Sequence, residues 1–256
     1  MDLAPYQADK SLTAKLARKL ALLLAPKWAY FPESCGPRLS IGFDDAPLSA
    51  ARFGLDYLSG QSIQATYYIA MGLTKVAPDH LGGYTPPELI KELYDQGHEI
   101  ACHSYSHADC ARLTANELAL ECQKNRTELA KIGISPPRHF AYPFGSINSA
   151  AKKQLSHDWF TSCRALHCGL IGRKADLGAL PAIGIEGPSG PDRARHYLKE
   201  GLKQNAWVIL FTHDVRDWPS TWGTRTEDLK AILSEAKESG YRFVTMEQAI
   251  SEAQLS

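Results

Sequence analysis

The sequence predicts a single parallel α/β domain of barrel type, and three observations carry that prediction. Seven or eight short apolar runs alternate with amphipathic stretches along the chain. No composition break, internal repeat or low-complexity linker divides the 256 residues. Polar reactive residues cluster immediately after the apolar runs, as they do where loops at the C-terminal ends of barrel strands build one shared site. An open doubly wound sheet would give the same alternation and is the competing architecture.

Taken in order, the chain begins with a lead-in over 1–37. Ser11 can cap a helix whose apolar face is Leu12, Leu16, Leu20, Leu23 and Leu24, with Lys15, Arg18 and Lys19 largely off that face and Pro26 as its limit. Two readings stand for it: an outer helix docked on the core, or a basic amphipathic contact with a membrane surface or partner. The apolar run 20–25 is shorter than a secretory core and lacks an A-x-A-like cleavage site after it. No other run is long enough to span a bilayer. A cytoplasmic location, at the inner face of the membrane where the helix makes that contact, is the expectation.

The main domain is expected over 38–256. Residues 38–43 form a strand that Pro47 stops, 49–58 a helix, and 65–71 a strand. Thr85-Pro86-Pro87-Glu88 opens a helix with a capping box, which Gly97 ends. Residues 98–103 are the next strand, and Thr114-Ala115-Asn116-Glu117 is a second capping box leading a helix to about Ile132. Strands follow over 139–144 and 159–163, separated by a short helix from Ser149, with a weaker strand over 180–185. Residues 192–204 read as a helix, 207–211 as a fully buried strand, 226–239 as a helix closed by Gly240, and 241–246 as a last strand before a terminal helix.

Lys+Arg and Asp+Glu are both 28, so the formal net charge is zero and leaves no electrostatic footprint for nucleic acid. The six cysteines form no C-x-x-C pair, which fits reduced thiols in an intracellular enzyme. The chemistry lies elsewhere. Asp44 and Asp45 end the strand 38–43 and deliver two carboxylates to the mouth of a core, where charge is costly unless a cation compensates it. His103 and His107 stand four residues apart, and on a helical turn they would share a face and reach one metal. With one carboxylate they complete a His₂-carboxylate set of catalytic type. Both histidines could instead be ordinary hydrogen-bonded residues, and His213, after the strand 207–211, is either a general acid or a satisfied core histidine.

At these residues the chain resembles the polysaccharide deacetylase family, the NodB-homology or carbohydrate esterase 4 group. Phe43-Asp44-Asp45-Ala46-Pro47 is similar to its first motif, with Asp44 as catalytic base and Asp45 as metal ligand. His103-Ser104-Tyr105-Ser106-His107 is similar to the second, which supplies two metal histidines. Phe140-Ala141-Tyr142-Pro143-Phe144-Gly145 is similar to the third, a groove wall with an oxyanion-binding amide at Phe144. Leu210-Phe211-Thr212-His213-Asp214 resembles the last, whose histidine is the general acid. The resemblance implies a distorted (β/α)₇ barrel in one domain, a zinc ion or another divalent metal such as Co²⁺ or Ni²⁺, and removal of acetyl groups from N-acetylated sugars by attack of metal-activated water. Tyr142, Pro143, Phe211, Trp222 and Arg164 are expected to line the sugar.

Three positions depart from the pattern. Ala46 replaces a common glycine, which disfavours a positive φ there. Ala141 replaces an arginine that pairs with the base in many members, and Arg164 or Arg138 is the candidate substitute. The acid-tuning Asp and Trp motif has no match, because Asp158-Trp159 precedes a strand; Trp218 or Trp222 is the candidate wall of the acetyl pocket. The expected substrate is an N-acetylated polysaccharide or lipid-linked oligosaccharide of exopolysaccharide or biofilm adhesin synthesis. A silent carbohydrate-binding protein on this fold and a metal amidohydrolase of small cyclic amides are the alternatives.

Overall fold

Alternation of side chains along each strand sets the architecture, one face turned to the helices and the other to the barrel interior. The structure, a computed structural model, describes residues 11–45, 47–75 and 81–255. In chain order the elements are α1 (Leu12–Leu23), β1 (Trp28–Tyr30), β2 (Arg38–Asp44), α2 (Leu48–Phe53), β3 (Thr66–Ile69), α3 (Pro87–Asp95), β4 (Glu99–Cys102), α4 (Ala115–Lys131), β5 (His139–Ala141), α5 (Ser149–Gln154), β6 (Ser162–Arg164), β7 (Lys174–Asp176), β8 (Ile183–Gly184), α6 (Gly190–Lys203), β9 (Trp207–Thr212), α7 (Thr226–Glu238), β10 (Arg242–Phe243), α8 (Met246–Ser251) and β11 (Gln254–Leu255).

The main sheet runs β6-β5-β4-β3-β2-β9-β8, with β10 added beside the start of β2, and the pairings are parallel. Its two ends are joined irregularly. Leu180 exchanges backbone bonds with Cys163 and Ala165 on the β6 side, and β8 bonds β9 on the other. This is the distorted seven-stranded barrel that the sequence predicts, not an open doubly wound sheet.

Leu39, Ile41 and Phe43 of β2 pack outward with Val208 and Leu210 of β9 against α2, α6 and α7. The inward set comprises Tyr68, Ala101, Ala141, Trp207, Ile209 and Phe211. Met246, Ala249 and Ile250 of α8 join that set and plug the N-terminal end of the barrel. Chain reversals therefore leave the opposite end, where the strands terminate, for the site.

The Thr114 capping box forms as predicted, with Thr114 and Glu117 satisfying each other's backbone amides. The one expected at Thr85 does not. Pro86 occupies the N-cap and Pro87 the first helical position, so the start moves one residue along and no side chain caps it. A second, three-stranded antiparallel sheet, β11-β1-β7, was not foreseen and ties the lead-in to the C-terminal residues.

The first helix docks on the core, but not through the leucine face that the sequence marks for it. Ala21 is buried and Leu22 packs on a core cluster, whereas Leu16, Leu20, Leu23 and Leu24 are 59%, 49%, 77% and 51% exposed. The buried Lys152 of α5 donates to the Ala21 and Leu22 carbonyls and anchors that end of the helix. Among the described residues no helix is long and apolar enough to cross a membrane.

Candidate metal centre and active site

Each site residue sits within a few positions of a strand's C-terminal end, and the segment from His103 to His107 is not helical. Asp45, Ser104, His107 and Phe144 all adopt positive φ, between 56° and 66°. Left-handed backbone at non-glycine residues costs energy and persists only where surrounding contacts impose it. The two histidines thus converge through left-handed bends at Ser104 and His107 and not through the helical turn expected from their spacing. Ala46 lies outside the described residues.

A carboxylate of α4 imposes the bend. Glu121 Oε2 accepts from the Tyr105 and Ser106 amides at 2.9 and 2.8 Å, and Oε1 accepts from Ser106 Oγ at 2.9 Å. One turn further on, Asn125 accepts from the Met71 amide and donates to the Ile69 carbonyl, fixing the end of β3. Neither residue was singled out from the sequence. The available signal was Asn125 itself, a polar residue on the helix stripe of Leu118, Cys122 and Leu129.

His103 Nε2 lies 3.3 Å and His107 Nε2 3.1 Å from Asp45 Oδ1. Oδ1 is buried and has no hydrogen-bond partner despite those neighbours. His103 Nδ1 donates to the Ala141 carbonyl at 2.8 Å, so a neutral ring turns its Nε2 lone pair toward the carboxylate. Acceptors facing acceptors in a buried site repel unless a cation stands among them. The separations match the edge of a tetrahedral metal shell, about 3.3 Å for bonds of about 2.05 Å. The residues therefore fit a divalent metal held by Asp45, His103 and His107, whose ligand atoms lie within 4.8 Å of one another. Burial lowers His107 to about 4, against the pull of Asp45, which keeps the ring unprotonated and ready to ligate at neutral pH. Burial would raise the Asp45 carboxyl, but the imidazoles of His107, His103 and His213, which carry charge once the pH is low enough to protonate them, hold it well below the usual carboxylate range.

Asp44 turns to a different partner. Arg164 Nη2, from the end of β6, donates to both carboxylate oxygens at 2.6 Å. The guanidinium is stacked between the rings of Tyr68 and Phe211, 4.7 and 4.6 Å from their centroids. Burial would lower Arg164, but Asp44 and Tyr68 together outweigh it and keep the guanidinium charged. Register explains the substitution: Ala141 is paired directly with Arg164, so the adjacent strand delivers a cation that the small Ala141 leaves room for. Gly42 contributes too, since a Cβ there would stand 3.2 Å from the Tyr68 ring and 3.7 Å from Phe211 Cβ. Arg138, the other candidate, is an exposed partner of Glu247 at the opposite end of the barrel.

His213 lies with Nε2 3.8 Å from Asp45 Oδ2. Its Nδ1 donates to the Trp222 carbonyl at 3.1 Å, so a backbone group fills the place expected for an acidic tuning residue. The loop that carries this carbonyl is built on buried Asp214, which accepts from the Ser220 amide, Ser220 Oγ and Arg216 Nε. The Trp222 ring is 6.2 Å from His213, while Trp218 is 88% exposed and stands away from the core. Phe144 is T-stacked on His107 at 4.2 Å.

Four residues expected to line the sugar are buried. Tyr142 is 1% exposed and donates to the Gly178 carbonyl; Pro143 is buried behind the loop; Phe211 and Arg164 are buried against each other. Their apolar bulk is consumed in holding Asp44 and the third-motif loop. Of that set Trp222, 47% exposed, keeps an open ring.

The model of the polysaccharide deacetylase family matches residues 33–159, a span that carries Asp44, Asp45, His103, His107 and Phe144. The chain belongs to the polysaccharide deacetylase family. It is 25% identical over 219 residues to a chitin deacetylase of Arthroderma benhamiae, covering 84% of this chain and 52% of that protein. It is 20% identical to the peptidoglycan-N-acetylglucosamine deacetylase PgdA of Listeria monocytogenes, covering 84% of this chain and 39% of that one. The chain thus spans about half or less of the length of these relatives. The solved chitin deacetylase of Colletotrichum lindemuthianum shares the fold with a TM-score of 0.63 at 17% identity, over 84% of this chain and 87% of that one. In this polysaccharide deacetylase family member the cation beside Asp44 comes from β6, and the Nδ1 partner of His213 is a backbone carbonyl.

Proposed function

We propose that the chain is a metal-dependent deacetylase that hydrolyses the acetamide of N-acetylglucosamine-type residues. Its substrate is a polysaccharide or lipid-linked oligosaccharide of exopolysaccharide or biofilm adhesin synthesis. The observation that carries the reading is the unpartnered Asp45 Oδ1 facing two imidazole nitrogens, with a separately held carboxylate and a third imidazole beside it. Family membership and the names of the two relatives support the substrate class.

Zn²⁺, or Co²⁺ or Ni²⁺ in its place, held by Asp45, His103 and His107, supplies when bound the Lewis acidity that activates a water and polarises the acetamide carbonyl. Asp44 accepts the proton of the attacking water as the new C–O bond forms, and Arg164 keeps its carboxylate aimed. The Phe144 amide donates to the developing oxyanion. As the C–N bond breaks, His213 passes its Nε2 proton to the departing nitrogen, with Nδ1–H anchored on the Trp222 carbonyl. The products are acetate and the free amino sugar. Trp222 walls the acetyl-binding side of the site.

We place the activity in the cytoplasm at the inner membrane face, a reading supported by six free thiols. The test is acetate release from N-acetylglucosamine oligomers by protein stripped with chelator and then reloaded with zinc or cobalt, beside Asp44→Asn. Metal-dependent release that the variant loses is the expected result. Glycan binding without release in metal-loaded protein would make it a silent carbohydrate binder. Turnover of a cyclic amide in place of the oligomers would make it an amidohydrolase.

A further inference from the structure

The leucine stripe of α1 runs through Leu16, Leu20 and Leu23 to Leu24 just past its end, the i, i+4, i+7, i+8 spacing of a core-facing surface, yet these residues are 49% to 77% exposed. The helix is not a loose appendage. Ala21 is buried, Lys152 holds the Ala21 and Leu22 carbonyls, and Lys152 Nζ lies 2.6 Å from Asp176 Oδ2. The stripe is therefore presented outward by a fixed anchor.

Charge selects its occupant. Residues 11–32 contain Lys15, Arg18, Lys19 and Lys27 and no acidic residue, in a chain whose formal net charge is zero. Trp28 and Tyr30 follow, 40% and 44% exposed, with Lys174 Nζ over their rings at 4.1 and 5.5 Å. Trp28 is only four residues beyond Leu24, within about 14 Å along the chain. Leucines flanked by basic side chains, with Trp and Tyr adjoining, match the water–headgroup boundary of a membrane. A second copy would bring like charges together with no acid in the segment to offset them; an anionic bilayer supplies the missing charge.

We propose that α1, with Trp28 and Tyr30, is a docking surface for an anionic lipid bilayer, on which the helix lies flat. The inference stands independently of the reaction proposed above. The test sediments the full chain with vesicles of phosphatidylcholine alone and of phosphatidylcholine mixed with phosphatidylglycerol. The expected result is partition at least about tenfold stronger into the anionic vesicles, reduced by added salt. Leu16→Ser/Leu20→Ser/Leu23→Ser should weaken it by about tenfold or more, and Lys15→Glu/Lys19→Glu should bring it down to the neutral-vesicle level. Circular dichroism melts should match the wild type, because the substituted side chains are exposed. The proposal is overturned if anionic vesicles bind no protein, or if the leucine variant binds as well as the wild type. A leucine-dependent dimer in light scattering without vesicle binding would overturn it equally.

Discussion

Two clusters of histidine and carboxylate occupy opposite ends of this barrel, and their composition is nearly the same. At the N-terminal end His139 Nδ1 accepts from Ser162 Oγ at 2.9 Å, and Nε2 donates to Glu247 Oε2 at 2.8 Å with Glu99 Oε1 3.7 Å away. Glu99 in turn accepts from Thr66 Oγ1 and from the Glu247 amide. Every donor there meets an acceptor, and the flanking residues have negative φ. At the C-terminal end Asp45 Oδ1 has no hydrogen-bond partner, two imidazole nitrogens crowd it, and four non-glycine residues are left-handed. Residue type therefore does not make a reactive site. Unmet acceptors and imposed strain do.

The sharpest way to break this comparison is to remove the ion that the C-terminal cluster is built for. Asp45→Asn should abolish stoichiometric metal in elemental analysis and leave no acetate release above background. Chelation of the wild type should lower its melting temperature by several degrees, since a site filled at about 100 times its Kd adds about 2.7 kcal/mol to the folded state. His139→Phe should leave metal content and turnover per folded molecule unchanged. A variant at His139 that lost metal would collapse the distinction between the two ends.

Asp44→Asn comes next, with metal retained and kcat reduced by about 10² to 10⁴-fold, as for loss of a general base. Arg164→Met tests the same pair from the other side. It leaves the Asp44 carboxylate buried without a cation and should destabilise the fold by about 3–5 kcal/mol in urea titration. Glu121→Ala removes three bonds that bend the histidine loop and should weaken zinc affinity by about 10- to 100-fold in competition with a chelating dye, and Glu121→Gln should restore part of it.

Much of this site was legible because its residues follow strands that local apolar runs define. Asp44 and Asp45 after β2, His103 and His107 after β4 and His213 after β9 needed no long-range knowledge. What the chain's local pattern did not carry was register and reach. Arg164 meets Asp44 because β6 pairs with β5 so that Ala141 lies opposite it, a fact of two strands of three residues each. The Glu121 clamp joins residues fifteen apart or more, and β1 and β11 pair across almost the whole chain. Spacing alone suggested a helical turn for His103 and His107, but the Glu121 carboxylate selects left-handed bends. The leucine stripe of α1 has the periodicity of a docked face, and periodicity cannot say which way a stripe points.

The smallest expected effect concerns the N-terminal cluster and its dependence on pH. The His139 hydrogen bond, against opposition from burial and with help from Arg138, holds the Glu247 carboxyl below the ordinary glutamate range. A carboxyl depressed in the folded state binds fewer protons than the unfolded chain does, so its stabilisation is present above the unfolded value of about 4.3. It is lost as pH falls through the folded value. Because Glu247 is 41% exposed, solvent screening limits the contribution to about 1 kcal/mol or less. Urea midpoints of the wild type should exceed those of Glu247→Gln near neutral pH and converge with them in acid below about pH 4. The metal site should not respond to the same substitution, its affinity unaltered near neutral pH. An unchanged urea gap throughout the acid range would mean that His139 and Glu247 are held by packing alone, and that the N-terminal cluster is less electrostatic in origin than its hydrogen bonds imply.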